Sequence, residues 1–252
     1  MSTVTKYYSL QGRVSFFTRL PNGKKGVGVW AQNVPKFDLS FEVNEESTKE
    51  SHSGQRLKDL VFEIEKAMKT AFTLNGFTLD NLARGLWASR YTVASGTVSG
   101  EPLPADLAVG DYFALEKQNT SDWSLVDSTV SAAVPLVEGT HYALVSAFAG
   151  HGQLLNVTGL TLPILASYSN AASNALSLLS MRPDDHWLVF DGIDTISKAR
   201  AYLEISRHTS KPTGSLPLIN NEGKGSMDLE GEALYDGAAP DFPLGKFVLG
   251  AA

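Results

Sequence analysis

Residues 57–88 read LKDLVFEIEKAMKTAFTLNGFTLDNLARGLWA, and the fold class turns on the first half of this stretch. Leu57, Leu60, Val61, Ile64, Ala67, Met68 and Ala71 fall at helical spacing. The same segment also sorts by twos. Phe62, Ile64, Met68, Phe72 and Leu74 then share a face broken by Lys66 and Thr70. The opposite face holds Glu63, Glu65, Ala67, Lys69, Ala71 and Thr73, with nothing apolar larger than alanine. Periodicity alone leaves helix and strand both open. The second half reads one way. Thr78 can cap a helix, Asp80 stands in the first turn where the dipole favours an anion, and Leu79, Leu82, Ala83, Leu86 and Trp87 form a one-sided stripe. A short helix over about 78–88 follows, suited to lying on a sheet.

Outward from this stretch the signals are those of strands and turns. Phe37, Leu39, Phe41 and Val43 alternate with Asp38, Ser40, Glu42 and Asn44, a period-2 strand with one buried face. Val14–Arg19 runs into Pro21-Asn22-Gly23 and resumes at Val27–Trp30, which reads as a hairpin. Short apolar pieces at Tyr112–Leu115, Trp123–Val126, Thr140–Ala147, Leu160–Tyr168, Trp187–Phe190, Ala201–Ser206 and Met227–Leu229 continue the pattern. With 22 glycines and 11 prolines spread between them, the chain reads as mainly β. Residues 44–57 hold no large apolar side chain before Leu57, so they read as a long exposed loop that either binds something or stays unstructured. No internal repeat or linker marks a boundary, and one domain is expected over 1–252.

Composition removes several function classes. The 252 residues carry a formal charge of −6 and no cysteine. Disulfides, Cys-ligated zinc and thiol nucleophiles are excluded. The acidic balance argues against an electrostatic grip on nucleic acid. Met1–Gln11 lacks the apolar core of a secretory signal, and Leu154–Ala166 is too interrupted to span a bilayer, so a cytosolic product is expected.

The five histidines, His52, His141, His151, His186 and His208, show no short metal-ligand spacing. Asp184-Asp185-His186 is the one local set with acid/base potential, and a solvated turn before a strand explains it more simply. Gly23-Lys-Lys-Gly26 lacks the spacing of a phosphate-binding loop, and nucleophile elbows and dinucleotide turns are absent. Trp30, Trp87, Trp123 and Trp187 all sit in apolar contexts and read as core.

The order of these pieces carries more than any motif. A hairpin, an alternating strand, a polar loop with Ser51-His-Ser-Gly54, a long two-faced segment and Phe72–Trp87 follow one another. That order resembles the major tail tube proteins of long-tailed bacteriophages, where a similar strand runs into a helix of the type Asn-Leu-Ala-x-x-Leu. Gly139-Thr-His-Tyr142 and Trp187-Leu-Val-Phe-Asp-Gly-Ile-Asp194 look like later strands of that family, with His141 and Asp194 departing from its usual residues. Leu216-Pro-Leu-Ile-Asn-Asn-Glu222 and Leu229–Asp236 look like its closing strands. The likeness covers residues 10–90 and 139–247, leaving 90–138 as an insertion or additional strands.

The resemblance implies a β-sandwich or small barrel with one outer helix, with residues 57–74 as a long strand. It also implies hexameric rings stacked into a tube that conducts DNA without binding it, with no cofactor, metal or catalysis. Partners would be further copies of the chain, tail tip and terminator proteins and a tape measure protein, in a virion tail made in the bacterial cytoplasm. The polar loop would reach a neighbouring subunit through Glu45, Glu46, Lys49, Glu50, His52, Gln55 and Arg56. If 62–74 is a strand, Glu63, Glu65, Lys69 and Thr73 are candidates for the lumen, with Asp228, Glu230 and Glu232 as a rival acidic row. Two other readings compete: a β-sandwich binding or decoration module for carbohydrate or capsid, and a hydrolase using Asp184, Asp185 and His186.

Overall fold

The computed structural model describes residues 7–221 and 223–250. The reading of the N-terminus falls partly on residues 1–6, and that of the segment ending at Glu222 includes a residue outside those described. In chain order the first elements are β1 (Leu10–Arg19), β2 (Lys25–Trp30), β3 (Lys36–Lys49), β4 (Lys58–Leu74) and α1 (Leu79–Gly85). Next come β5 (Ser89–Val93), β6 (Gly96–Pro102), β7 (Tyr112–Ala114), β8 (Thr120–Val126), β9 (Tyr142–Ser146) and β10 (His151–Leu154). The last are β11 (Leu165–Asn170), β12 (Ser173–Ser177), β13 (His186–Asp194), β14 (Arg200–Thr213), β15 (Met227–Ala233) and β16 (Lys246–Leu249). The protein is mainly β, with antiparallel sheets and one short helix, as its turn-punctuated apolar pieces dictate.

Two compact units emerge, Met1–Ser89 with Ser177–Ala252, and Arg90–Leu176. The single domain expected from the sequence therefore divides, and the stretch expected as an insertion over 90–138 runs on to Leu176. The reason is pairing: β11 lies between β6 and β8, and β10 between β7 and β9, so strands on both sides of residue 138 share sheets. Their core holds Leu103, Phe113, Leu125, Tyr142, Leu154, Ile164 and Tyr168. β5 and β12 form a separate two-stranded ribbon.

The first unit is built on a sheet of order β2-β1-β13-β14-β15-β4-β3, with β16 added to β14. Val14, Phe16, Met68, Phe72, Leu74, Leu188, Ile205, Met227 and Leu229 cluster on its inner face. Phe16 and Phe72 meet with ring centroids 5.6 Å apart. Residues 57–74 thus resolve as strand from Lys58 onward. Leu216–Asn221 forms no strand, and of the two expected closing strands only β15 exists. The helix starts where its cap residue predicts, with the Asn81 amide donating to Thr78 Oγ1 at 3.2 Å. Its buried positions are Asn81 and Gly85, not the leucine stripe, and Leu79 is exposed. A Cβ on Gly85 would stand 2.1 Å from Met227 Sδ, so the helix sits closer to the sheet than a leucine contact allows.

Candidate functional site

The β3–β4 hairpin is the feature the sequence described least well. Its ladder runs from Lys36 opposite Thr73 to Lys49 opposite Lys58. The expected loop over 44–57 shrinks to a tip beyond Lys49. Glu45, Glu46 and Lys49 lie in β3, whereas Glu50, His52, Gln55 and Arg56 belong to the tip. A polar strand exposed on both faces has no apolar alternation to announce it. Backbone pairing with β4 supplies what side-chain burial does not.

The tip is ordered by its own polar groups. The Glu50 amide donates to the Leu57 carbonyl at 2.9 Å, and the Glu50 carboxylate accepts the amides of His52 at 2.9 Å and Ser53 at 2.8 Å. The Ser53 hydroxyl also donates to it, and these bonds hold the Glu50 carboxyl down to about 2.

Beyond the sheet the hairpin stands as two strands. β15 covers β4 from Lys69 to Leu74 only, so Lys58–Met68 has β3 as its sole neighbour among the described residues. A register shift between Asn44 and Glu45 leaves Ile64 as an extra residue on β4. Directly opposed residues of an antiparallel pair share a face, and one extra residue exchanges the faces beyond it. Before the bulge, Met68 and Lys66 share a face with Phe41 and Val43. After it, Glu63 and Val61 lie opposite Glu45 and Ser47 on that same face, and Phe62 and Leu60 pass to the other. The ion pair between Lys66 and Glu63, three residues apart, requires this exchange.

Two expectations change in consequence. Phe62 and Ile64 do not face the core; they are 42% and 61% exposed, and burial begins at Met68. Glu63 does not share the row of Glu65, Lys69 and Thr73. The distal hairpin instead exposes apolar side chains on both faces: Phe41 at 70% and Val43 and Val61 on one, Leu60 and Phe62 on the other.

The outer face of the sheet is polar throughout this region. Lys69 lies opposite Glu232 and Thr73 opposite Asp228, so the two acidic rows proposed as rivals are neighbours on one face. Thr73 Oγ1 donates to Asp228 at 2.7 Å, Lys69 Nζ to Glu42 at 2.6 Å, and Lys211 pairs with Glu230 at 3.5 Å. Asp38, Glu42, Glu65, Asp228, Glu230 and Glu232 outnumber Lys36, Lys69 and Lys211 there. A cleft of about 500 Å³ is lined by Lys69, Lys211, Glu230 and Glu232 of this face together with Thr70, Ser210, Trp87 and Arg182.

Asp184, Asp185 and His186 do not converge. Arg207 Nε donates to Asp185 at 2.6 Å, while His186 is 4% exposed and turned inward. His186 Nδ1 donates to the Asp184 carbonyl at 3.2 Å, so its Nε2 must accept the His208 Nδ1–H at 3.0 Å. His208 Nε2 then accepts from Thr70 Oγ1 at 2.7 Å. Burial, aided for His186 by the positive charge of Arg84, pushes His186 down to about 3, and burial with the neighbouring His186 lowers His208 as well. No group of three or more metal-ligating side chains converges among the described residues. Of the four tryptophans expected in the core, Trp123 packs half-buried against the second unit's core and Trp87 and Trp187 are half-buried, whereas Trp30 is exposed with Arg13 5.2 Å over its ring.

A mainly-β protein with a long projecting hairpin, a polar sheet face and an inserted β unit is thereby defined. The chain matches over residues 7–249 the family described as protein of unknown function UCP028589, and it belongs to that family. No curated protein matches it. No helix among the described residues is long and apolar enough to cross a membrane.

Proposed function

We propose that this chain is a tail tube subunit of a long-tailed bacteriophage or related device, closing into hexameric rings that stack into a conduit for DNA. One observation carries the reading: the hairpin projects past its sheet with Phe41, Val43, Leu60, Val61, Phe62 and Ile64 exposed and, among the described residues, with β4 unpaired on one edge from Lys58 to Met68. A lone two-stranded ribbon is marginal in water, and exposed apolar patches with open strand edges mark association surfaces. Repetition of the chain around a ring covers both at once. The order of strands and helix that resembles the tail tube family supplies the type of assembly.

In such a ring the polar face of β3, β4, β15 and β14 lines the channel, with Glu65, Lys69 and Thr73 beside Asp228, Glu230 and Glu232. Its excess of carboxylates repels a duplex that carries one charge per ~1.7 Å of axis. The role asks for no catalysis and no cofactor. Its partners are other copies of the chain, tail tip and terminator proteins and a tape measure protein, in a virion.

Sedimentation of the purified chain over a range of concentration and salt tests assembly: large species growing with concentration are expected, and a strict monomer throughout overturns the reading. Assembled Glu65→Lys/Glu232→Lys particles test the channel face. They are expected to retain DNA at low salt and release it at high salt; particles that ignore DNA at low salt remove that face from the lumen.

A further inference from the structure

The charge of the chain is divided unevenly between its two units. Arg90–Leu176 holds seven Asp and Glu against one arginine and one lysine, a formal −5, whereas the remaining residues, with 20 against 19, hold −1. Five of the seven, Asp106, Asp111, Glu116, Asp122 and Glu138, are exposed. Of these five only Glu116 forms an ion pair among the described residues, with Lys117.

The sheet edges of this second unit are blunted as well. Its two three-stranded sheets are bounded by β6, β8, β7 and β9. In β6, Ser99 and Gly100 stand opposite Ser167 alone, with Gly100 at φ +66°. In β8, Asp122 and Trp123 stand opposite Tyr168, with Asp122 at φ +54°. In β9, Val145 is an extra residue between Leu144 and Ser146. The fourth edge, β7, is 3 residues long. Short strands, bulges and charges at an edge each hinder another strand from pairing with it. The first unit shows the opposite. There β3 runs over 14 residues, and β4 leaves Lys58–Met68 open on one side among the described residues.

Long open edges thus lie in one unit, and blunted, like-charged ones in the other. We propose that Arg90–Leu176 is a dispersal module: it stays out of the contacts between copies and holds assembled particles apart by like charge. This role rests on the assembly reading given above. Six copies would place a charge on the order of −30 on a ring through these units alone, and charge of one sign keeps particles from associating. The unit needs that protection, because Val109, Tyr112, Val130 and Phe148 are exposed on it and apolar side chains adhere once charge is removed or screened. The repulsion reaches over the ~10 Å screening length of 0.1 M salt, which shrinks to ~3 Å at 1 M.

Two variants test the two halves of this proposal. Thr92 Oγ1 donates to the Asn174 side chain at 3.4 Å, so replacing residues 93–173 by Asn-Gly joins chain ends that lie side by side. The shortened chain is expected to sediment as the same type of assembly as the full chain; a folded shortened chain that stays monomeric where the full chain assembles overturns the module's absence from contacts. The second variant, Asp106→Asn/Glu116→Gln/Asp122→Asn/Glu138→Gln, removes four negative charges from exposed positions and takes the unit from −5 to −1. Its particles are expected to cluster at about 50 mM salt, with light scattering at least about tenfold above that of unaltered particles, which cluster only when salt near 1 M screens them. Neutralised particles that stay dispersed at low salt overturn the role of the charge. So does equal clustering when Glu65→Gln/Asp228→Asn/Glu230→Gln/Glu232→Gln makes the same change of charge on the polar face of the first unit. A chain that assembles in no form overturns the assembly reading and this role with it, whereas the other outcomes leave that reading standing.

Discussion

His208 is fully buried with both ring nitrogens engaged, one by His186 and the other by Thr70, and burial holds both rings neutral. Unfolded, each ring regains an ordinary value near 6.5 and binds protons that the folded protein refuses. Stability is therefore undiminished above pH 6.5 and falls as pH drops below it, toward the value of about 3 to which His186 is pushed. The slope is about 1.4 kcal/mol per pH unit for each ring. Urea denaturation at pH 7 and pH 5 should differ by about 3–4 kcal/mol, and equal stabilities would contradict the neutral pair. Gly231 makes room for this pair, since a Cβ there would stand 2.2 Å from His208 Nε2 and 2.5 Å from the Thr209 carbonyl. Gly231→Ala should cost about 1–3 kcal/mol by overpacking, measured as a lower denaturation midpoint. The pair was invisible in the sequence because His186 and His208 meet through the β13–β14 register, and spacing along the chain does not encode register. Thr78 as a cap was legible because capping is a local event.

At the scale of elements, the proposed assembly rests on the hairpin. Asn44 and Glu65 face each other, so replacing residues 45–64 by Asn-Gly closes the ladder with a two-residue turn just below the bulge. The remaining β3 and β4 keep the pairing of Lys69–Leu74 with β15 and all of the buried residues Met68, Phe72 and Leu74. We expect a truncated protein with a near-native unfolding midpoint that sediments as a monomer; assembly that survives the truncation would free the hairpin of any role. The alternation of 68–74 was readable because one face there is buried. It failed at Phe62 and Ile64 because a bulge exchanges faces and because a ribbon outside the sheet has no core to sort its side chains. The same absence of burial made Asn44–Lys49 look like loop.

At the scale of the whole molecule, two cores were not legible because composition does not change at Ser89 or Ser177 and the boundaries fall within strands. The fragment 90–176 encloses Leu125, Leu154, Ile164, Ala166 and seven further buried side chains of its own. Expressed alone, it is expected to give a dispersed amide spectrum and a cooperative unfolding transition; an unfolded fragment would show that its core depends on the rest of the chain. The fold class itself was readable, since turn residues between short apolar runs leave few alternatives to antiparallel sheets. The central claim is that the exposed hairpin exists to be covered by further copies of the same chain. Electron microscopy of the purified full-length protein after concentration tests it most directly. Tubes or stacked rings with six-fold end views are the expected result, and dispersed single particles at every concentration and salt would contradict it.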